Sequence, residues 1–319
     1  MEKKIKIILS VSQKIFRNFS RFLCTVLCIL ILASGCTDGP KINTSLQLES
    51  LSGISVPAEH LVFIGLDGWG SAYVPKANMP TVKQMIAGGA SSMDMRCIMP
   101  CISWPNWSTL FSGTLPEQRN GDITNQPATV MDFPSIFSLV NNNKTPKKSG
   151  SVFFYEWNTL DKICPDEKSE KIRISSNPES ARKIAAYIIE KKPVFTAVVF
   201  NEPDHTGHDK HWGSTAYYAK LTELDNLIAI IEQAVKDAGV YDSTVFILSA
   251  DHGGILAGHG KNFKKTRQIP IVIFGRGIKT CYTIPSPLLI SDIAPTMAAI
   301  MGLEIPSTWT GRPLKEVFK

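Results

Sequence analysis

The chain has 319 residues, with 34 Lys and Arg against 28 Asp and Glu, for a formal net charge of +6. Residues 1–35 carry six of the bases and one of the acids, so the remainder holds 28 against 27, or +1. The basic balance therefore belongs to the front of the chain, and no nucleic-acid surface is expected on the rest.

The front segment reads as an export signal. Lys3, Lys4, Lys6, Lys14, Arg17 and Arg21 precede a mainly apolar run at 22–33, the length of a signal core and too short to span a bilayer comfortably. The small residues Ala33, Ser34 and Gly35 then lead into Cys36. That arrangement resembles a bacterial lipoprotein cleavage box, with Cys36 carrying the lipid. The expected organisation is a signal at 1–35, a flexible tether at 36–58 and one catalytic domain at 59–319. The expected location is the bacterial cell envelope, periplasmic or at the cell surface, touching membrane through the lipid alone. Cys24 and Cys28 leave with the signal, while Cys97, Cys101, Cys164 and Cys281 remain. Four cysteines in an oxidising compartment leave one or two disulfides open, in three connectivities.

In chain order, residues 61–66 are a short apolar run that suits a strand buried on both faces, and it stops at Asp67-Gly68. Residues 80–87 read as a helix and 91–96 as a strand. Next comes MPCISWPNWSTLFSG at 99–113, where Ser103 precedes Trp104-Pro105-Asn106 and a helical run at 107–111. Proline is tolerated in a first helical turn, so Ser103 falls at a helix N-terminus. A serine there is either a simple cap or a group beside an anion site, and the segment alone does not separate the two. A short helix at 134–140 and a strand at 151–155 follow, then a helix from Asn177-Pro178 to residue 191. The next strand, 194–200, ends in Asn201-Glu202-Pro203-Asp204-His205-Thr206-Gly207-His208. A long amphipathic helix covers 214–238, and a strand at 244–249 finishes at Asp251-His252. A strand at 269–274 and a helix at 291–301, capped by Ser291 or Asp292, close the chain. Strands alternating with helices predict an α/β fold, a three-layer α/β/α sandwich with a mostly parallel central sheet. Ligands bind such sheets at the carboxyl ends of the strands.

Three strands end in acids or acid–histidine pairs: Asp67, Asp204 with His208, and Asp251 with His252. Four of the six histidines (His205, His208, His252, His259) fall in the loops after what read as two neighbouring strands. Asp204 and His208 are four apart, which puts both on one side of a helical turn. Mixed carboxylate and imidazole ligands suit zinc or a similar divalent ion. Two such sets ~3.5–4 Å apart would clamp a displacement at phosphorus.

Taken together, LDG at 66–68, SWPNWSTLFSG at 103–113, EPDHTGH at 202–208, DHGG at 251–254, GHG at 258–260, IPIVIFGRGI at 269–278 and SDIAPTMAAIMGL at 291–303 resemble the alkaline phosphatase superfamily. Within it they are most similar to the type I phosphodiesterase/nucleotide pyrophosphatase branch. The resemblance implies two divalent metal ions, with zinc favoured. Asp204, His208 and His259 would hold one; Asp67, Asp251, His252 and the Ser103 oxygen would hold the other. It also implies Ser103 as the nucleophile, where the family often has Thr, and a phosphoserine intermediate. Asn125 falls close to the family's asparagine that binds a phosphoryl oxygen, together with the backbone N–H near Trp104. Trp104 stands where nucleotide-cleaving relatives stack an aromatic on the base, and it reads equally as a core residue. His205 and His211 match no ligand position. Lys261, Lys264 and Lys265 either draw an anionic substrate or are solvated charges.

The expected activity is hydrolysis of a small-molecule phosphate ester, with a diester ahead of a monoester. Sulfatases use a Cys/Ser-x-Pro-x-Arg frame, and here Trp107 stands where that Arg would be. Six residues separate His252 from His259, where nucleotide pyrophosphatases insert a much longer segment, so nucleotide specificity does not carry over. A non-catalytic binding lipoprotein on the same fold is the alternative from another class.

Overall fold

The computed structural model describes residues 58–118, 123–125, 131, 133–143, 150–164 and 168–319. The expected signal, the lipidation residue Cys36 and nearly all of the tether lie outside the described residues. Ala58 is already part of the domain, buried and donating its N–H to the Ile300 carbonyl at 2.9 Å. Among the described residues no helix is long and apolar enough to cross a membrane.

The elements run β1 (His60–Leu66), α1 (Pro80–Gly88), β2 (Ala90–Arg96), α2 (Ser103–Ser112), α3 (Ile136–Asn142), β3 (Ser151–Tyr155), β4 (Glu170–Arg173), α4 (Pro178–Lys191) and β5 (Phe195–Phe200). They continue with α5 (Asp204–Lys210), α6 (Thr215–Asp237), β6 (Thr244–Ser249), α7 (Lys264–Arg267), β7 (Gln268–Gly275), β8 (Tyr282–Thr283), β9 (Leu288–Leu289) and α8 (Ile293–Ile300). One nine-stranded sheet has the order β4-β3-β5-β1-β6-β7-β2-β8, with β9 also paired to β2. All pairings are parallel except those of β7, which runs antiparallel to both β6 and β2. Only the four-residue α7 lies between β6 and β7. Without a full crossover helix, the chain returns in the opposite direction.

Every residue of β3, β5 and β6 is buried, and β1 is buried beyond His60. The pleat sends alternate side chains to opposite faces. Phe153 packs on Phe111 of α2 and Phe137 of α3, while its neighbour Phe154 meets Tyr187 of α4. Helices thus cover both faces, as the alternating pattern predicts. Each aromatic buried this way adds on the order of 1.5–3 kcal/mol of hydrophobic stabilisation.

Local rules set most helix starts. Asn177 Oδ1 accepts the Ser180 N–H at 2.9 Å ahead of Pro178, and Ser214 Oγ accepts the Tyr217 N–H at 3.1 Å. The opening of α1 has no cap of its own. Its Thr81 and Val82 amides instead donate to the buried carboxylate of Asp225, on α6, at 3.0 and 2.9 Å. At the chain's end the expected helix is split. Residues 290–292 form a 3-10 turn before α8, and Asp292 turns back to accept the Leu289 N–H at 3.0 Å.

One expectation is corrected here, and one open point is decided. The histidine-bearing loops follow β5 and β6, which are not neighbours but flank β1. Among the described residues, Cys97, Cys101, Cys164 and Cys281 form no disulfide. The Cys101 thiol instead donates to the Met99 sulfur at 3.4 Å, and the Cys97 thiol to the Thr266 carbonyl at 3.6 Å.

Candidate active site

Three adjacent parallel strands, β5, β1 and β6, end flush: Leu66 is level with Phe200, and Gly65 with Ser249. The first residues beyond them therefore share one rim of the sheet. Asp67 follows β1 directly, and its N–H donates to the Phe200 carbonyl at 3.0 Å. Its own carbonyl accepts the Asp204 N–H at 2.9 Å, which ties the start of α5 to the end of β1. Gly68, at φ +71°, permits this closeness, because a Cβ there would lie 2.8 Å from Asp204 Cα. The Gly68 N–H donates to Asp251 Oδ1 at 3.1 Å, which draws in the loop after β6.

Two ligand sets result. Asp67, Asp251 and His252 are buried, and their ligand atoms lie within 4.8 Å of one another. Asp204, His208 and His259 form the second, more exposed set, within the same distance. Each histidine is oriented through its other nitrogen. Nδ1 of His252, His208 and His259 faces the carbonyls of Gly253, Ala257 and Cys101 at 3.0, 3.0 and 2.8 Å. A carbonyl only accepts, so Nδ1 carries the proton and a neutral ring turns its Nε2 lone pair into the site.

The residues fit divalent cations on three counts. Asp67 Oδ1, Asp204 Oδ1 and Asp251 Oδ2 are buried oxygens without a hydrogen-bond partner. Nε2 of His208 and of His259 face each other at 3.0 Å, so a proton or a cation belongs between them. The three carboxylates also repel one another. Burial, then the charges of Asp251 and Asp204, pushes Asp67 well above the usual carboxylate range. Burial and the Asp204 charge do the same to Asp251. At Asp204 burial acts upward too, but the His208 hydrogen bond and the nearby His252 and His259 outweigh it, and its pKa falls. Burial pushes His252 down to about 3, with His259 adding to the effect, and burial also lowers His259. The Asp204 hydrogen bond raises His208.

Ser103 is the first residue of α2, with Ile102 as the cap residue and no side-chain capping bond. Its Oγ lies 3.2 Å from His252 Nε2 instead. The simple-cap reading of Ser103 therefore fails. The loop before it is held by buried Asn106, whose Oδ1 accepts the Ile98 N–H at 2.8 Å. Asn106 Nδ2 reaches the Pro100 and Ile102 carbonyls at 3.1 and 2.9 Å. From the next turn, Trp107 Nε1 donates to Asp67 Oδ2 at 3.2 Å.

Asn125 Oδ1 accepts the Trp104 N–H at 2.9 Å, which sets Asn125 against the first turn of α2. The Trp104 side chain is 1% exposed, so it is a core residue, and the expectation that it stacks on a substrate base is corrected. His205 and His211 are exposed, as are Lys261, Lys264 and Lys265. The short segment between His252 and His259 closes as a tight turn, with Ile255 N–H to Gly258 carbonyl at 2.9 Å. Three contributors escaped the sequence reading: Asn106, Trp107 as a partner of Asp67, and Trp212, whose Nε1 donates to the Gly68 carbonyl at 2.9 Å.

Arylsulfatase K from Bos taurus is 30% identical over 112 residues, which is 32% of this chain and 21% of that protein. The match thus spans about a fifth of that curated relative. A solved 2-O GAG sulfatase superposes with TM-score 0.68 at 14% identity, covering 81% of this chain and 73% of the other. Murine ectonucleotide pyrophosphatase/phosphodiesterase 5, solved in an inactive form with AMP, gives TM-score 0.67 at 12% identity, over 82% of this chain and 100% of that one. These likenesses show an alkaline phosphatase-like fold. The type I phosphodiesterase/nucleotide pyrophosphatase family model matches residues 61–121 and 134–260, more than half of the chain. The chain is a hydrolase-superfamily protein and belongs to the type I phosphodiesterase/nucleotide pyrophosphatase family.

Proposed function

We propose that the protein is a two-metal phosphodiesterase that works through Ser103. The observation that carries this reading is the Ser103 hydroxyl, 3.2 Å from His252 Nε2, beside two carboxylate–histidine sets with orphaned oxygens. Asp204, His208 and His259 would hold one divalent cation, and Asp67, Asp251 and His252 with Ser103 the other, zinc being the favoured ion. Bound there, the cations would supply the positive charge that lowers the pKa of a hydroxyl or water and offsets charge gained at phosphorus.

The chain's own residues do the rest. Ser103 Oγ, its proton passing to solvent, forms the bond to phosphorus while the bond to the departing alcohol oxygen breaks and that oxygen takes up a proton. The seryl phosphodiester left behind keeps the substrate's second ester. Water then cleaves the Oγ–P bond, releasing the monoester and restoring the serine hydroxyl. His252 belongs to a ligand set, so its Nε2 lone pair would be committed to the cation and His252 is not a proton relay for Ser103. Asn125, fixed against the start of α2, presents its amide to the phosphoryl oxygens. Helix α2 points its N-terminal dipole at the same charge.

Phosphate is favoured over sulfate by Trp107. It occupies the position of the sulfatase arginine, is buried, and spends its indole N–H on Asp67. The proposal extends to an envelope location, with the lipid on Cys36 tethering the domain, on the strength of the leader sequence.

Purified, zinc-loaded protein offered bis-(p-nitrophenyl) phosphate, p-nitrophenyl phosphate and p-nitrophenyl sulfate should release nitrophenol fastest from the diester. A preference for the monoester by orders of magnitude would contradict the diesterase reading in favour of a phosphomonoesterase. Release from none of them would favour a binding module.

A further inference from the structure

We propose that Trp212 is a positioning residue that sets the tilt of His208 against His259, and so sets the affinity of the more exposed ligand set. This rests on the reading above, in which those histidines share a cation with Asp204.

His259, 10% exposed, already stacks on His252 at 3.9 Å and 18°, whereas His208 has less to fix its angle. The His208 side chain is 46% exposed, and its Nδ1 contact with Ala257 pins one corner of the ring. The other polar contacts of this ring, His259 Nε2 at 3.0 Å and the Asp204 carboxylate at 3.4 Å, lie within the ligand set itself. Trp212 gives the ring a wall. Its indole meets His208 edge-to-face, with centroids 5.0 Å apart and planes at 80°. It meets His259 at 6.0 Å and 72°. One rigid ring therefore touches both imidazoles whose Nε2 atoms converge.

The indole is itself fixed at several points. His211, at φ +72°, ends α5 and turns the chain back beneath it. The Trp212 N–H donates to the Leu256 carbonyl at 2.8 Å, so Trp212 also holds the turn that supplies Ala257 to His208. Its Nε1 bond reaches the Gly68 carbonyl, which anchors the indole to the backbone after β1. Two glycines inside the ligand motifs make room for it. A Cβ on Gly207 would fall 2.5 Å from the indole, and one on Gly254 would fall 2.1 Å from it. Neither has a positive φ. Space for Trp212 accounts for glycine at both places.

The test strips the full chain with chelator and titrates it with Co(II) against a competing chromophoric chelator, following Co(II) visible absorption. Partners that orient metal-bound histidines typically change affinity by 10–100-fold. Trp212→Leu should weaken one of the two Co(II) equivalents by about 10–100-fold and leave the other within about threefold. Trp212→Phe keeps a flat ring, and Gly68 keeps its bond from Tyr217 Oη (3.0 Å), so this variant should stay within about threefold of wild type for both. If the Leu variant does not fold, Trp212→Met fills the space without a flat face and should show the same loss. Wild-type affinity for both equivalents in a folded Leu or Met variant would overturn the role of Trp212 alone. A wild-type protein that binds no Co(II) would overturn the two-metal reading and this inference with it.

Discussion

Ser103→Ala abolishes turnover of the diester, lowering kcat by at least about 10⁴-fold, while the protein stays folded. The size follows from removing the atom that bonds to phosphorus; loss of a covalent nucleophile elsewhere costs about 10⁴–10⁶ in kcat. Retention of the fold follows from the contacts. Among the described residues Ser103 makes no capping bond, and its hydroxyl meets the Nε2 of His252. The loop around it is held by Asn106, and α2 is buried along its whole length. Acid quenching during turnover should trap the phosphoryl group, still carrying its second ester, on the peptide containing Ser103 in the wild type and not in the variant. If the Ala variant turned over the diester within tenfold of wild type, Ser103 would not be the nucleophile.

The second large effect comes from Asp67, and it has opposite signs with and without metal. Asp67→Asn should weaken cation binding by at least about 100-fold and cut activity accordingly, because it removes a charged ligand. In the chelated protein the same change should raise Tm. The Asp67 carboxyl lies well above its usual range, through burial and repulsion from Asp251 and Asp204. A folded pKa above the unfolded one means that the metal-free fold binds more protons than the unfolded chain. The stability from this group is present at low pH and is lost as pH rises through the raised value. An amide carries no such charge, and its oxygen still accepts from Trp107 while its NH2 faces His252. The gain of Asp67→Asn over wild type should therefore be small near pH 4 and should grow toward neutral pH. One pKa unit corresponds to about 1.4 kcal/mol, and a domain this size gains about 2–4 °C per kcal/mol. Thermal unfolding of both proteins in chelator, at several pH values, checks the sign. A Tm for Asp67→Asn below wild type at neutral pH would contradict the crowded-carboxylate picture.

What the sequence revealed and what it hid divide on physical grounds. Apolar runs that stop at an acid mark strand ends at a rim, so Asp67, Asp204 and Asp251 stood out before any coordinates. His208 stood out because a spacing of four is a helical neighbour relation. Contacts between distant parts of the chain left no such trace. Trp107 is 40 residues from Asp67, Trp212 is 144 from Gly68, and Asp225 caps a helix 144 residues before it. Spatial strand order was equally hidden: β5 and β6 look like successive partners, yet β1 lies between them and puts Asp67 at the centre of the site. The two-residue strands β8 and β9 are too short to show any period. Trp104 was ambiguous because an indole suits a core and a base-stacking wall alike, and burial decided for the core.

The measurement that bears most directly on the two-cation site is anomalous diffraction at the zinc edge from crystals of the full, zinc-loaded protein. Two peaks are expected, one among Asp204, His208 and His259 and one among Asp67, Asp251, His252 and Ser103 Oγ. Crystals with no peak at this rim, or with zinc only elsewhere on the molecule, would contradict the proposed chemistry at its root.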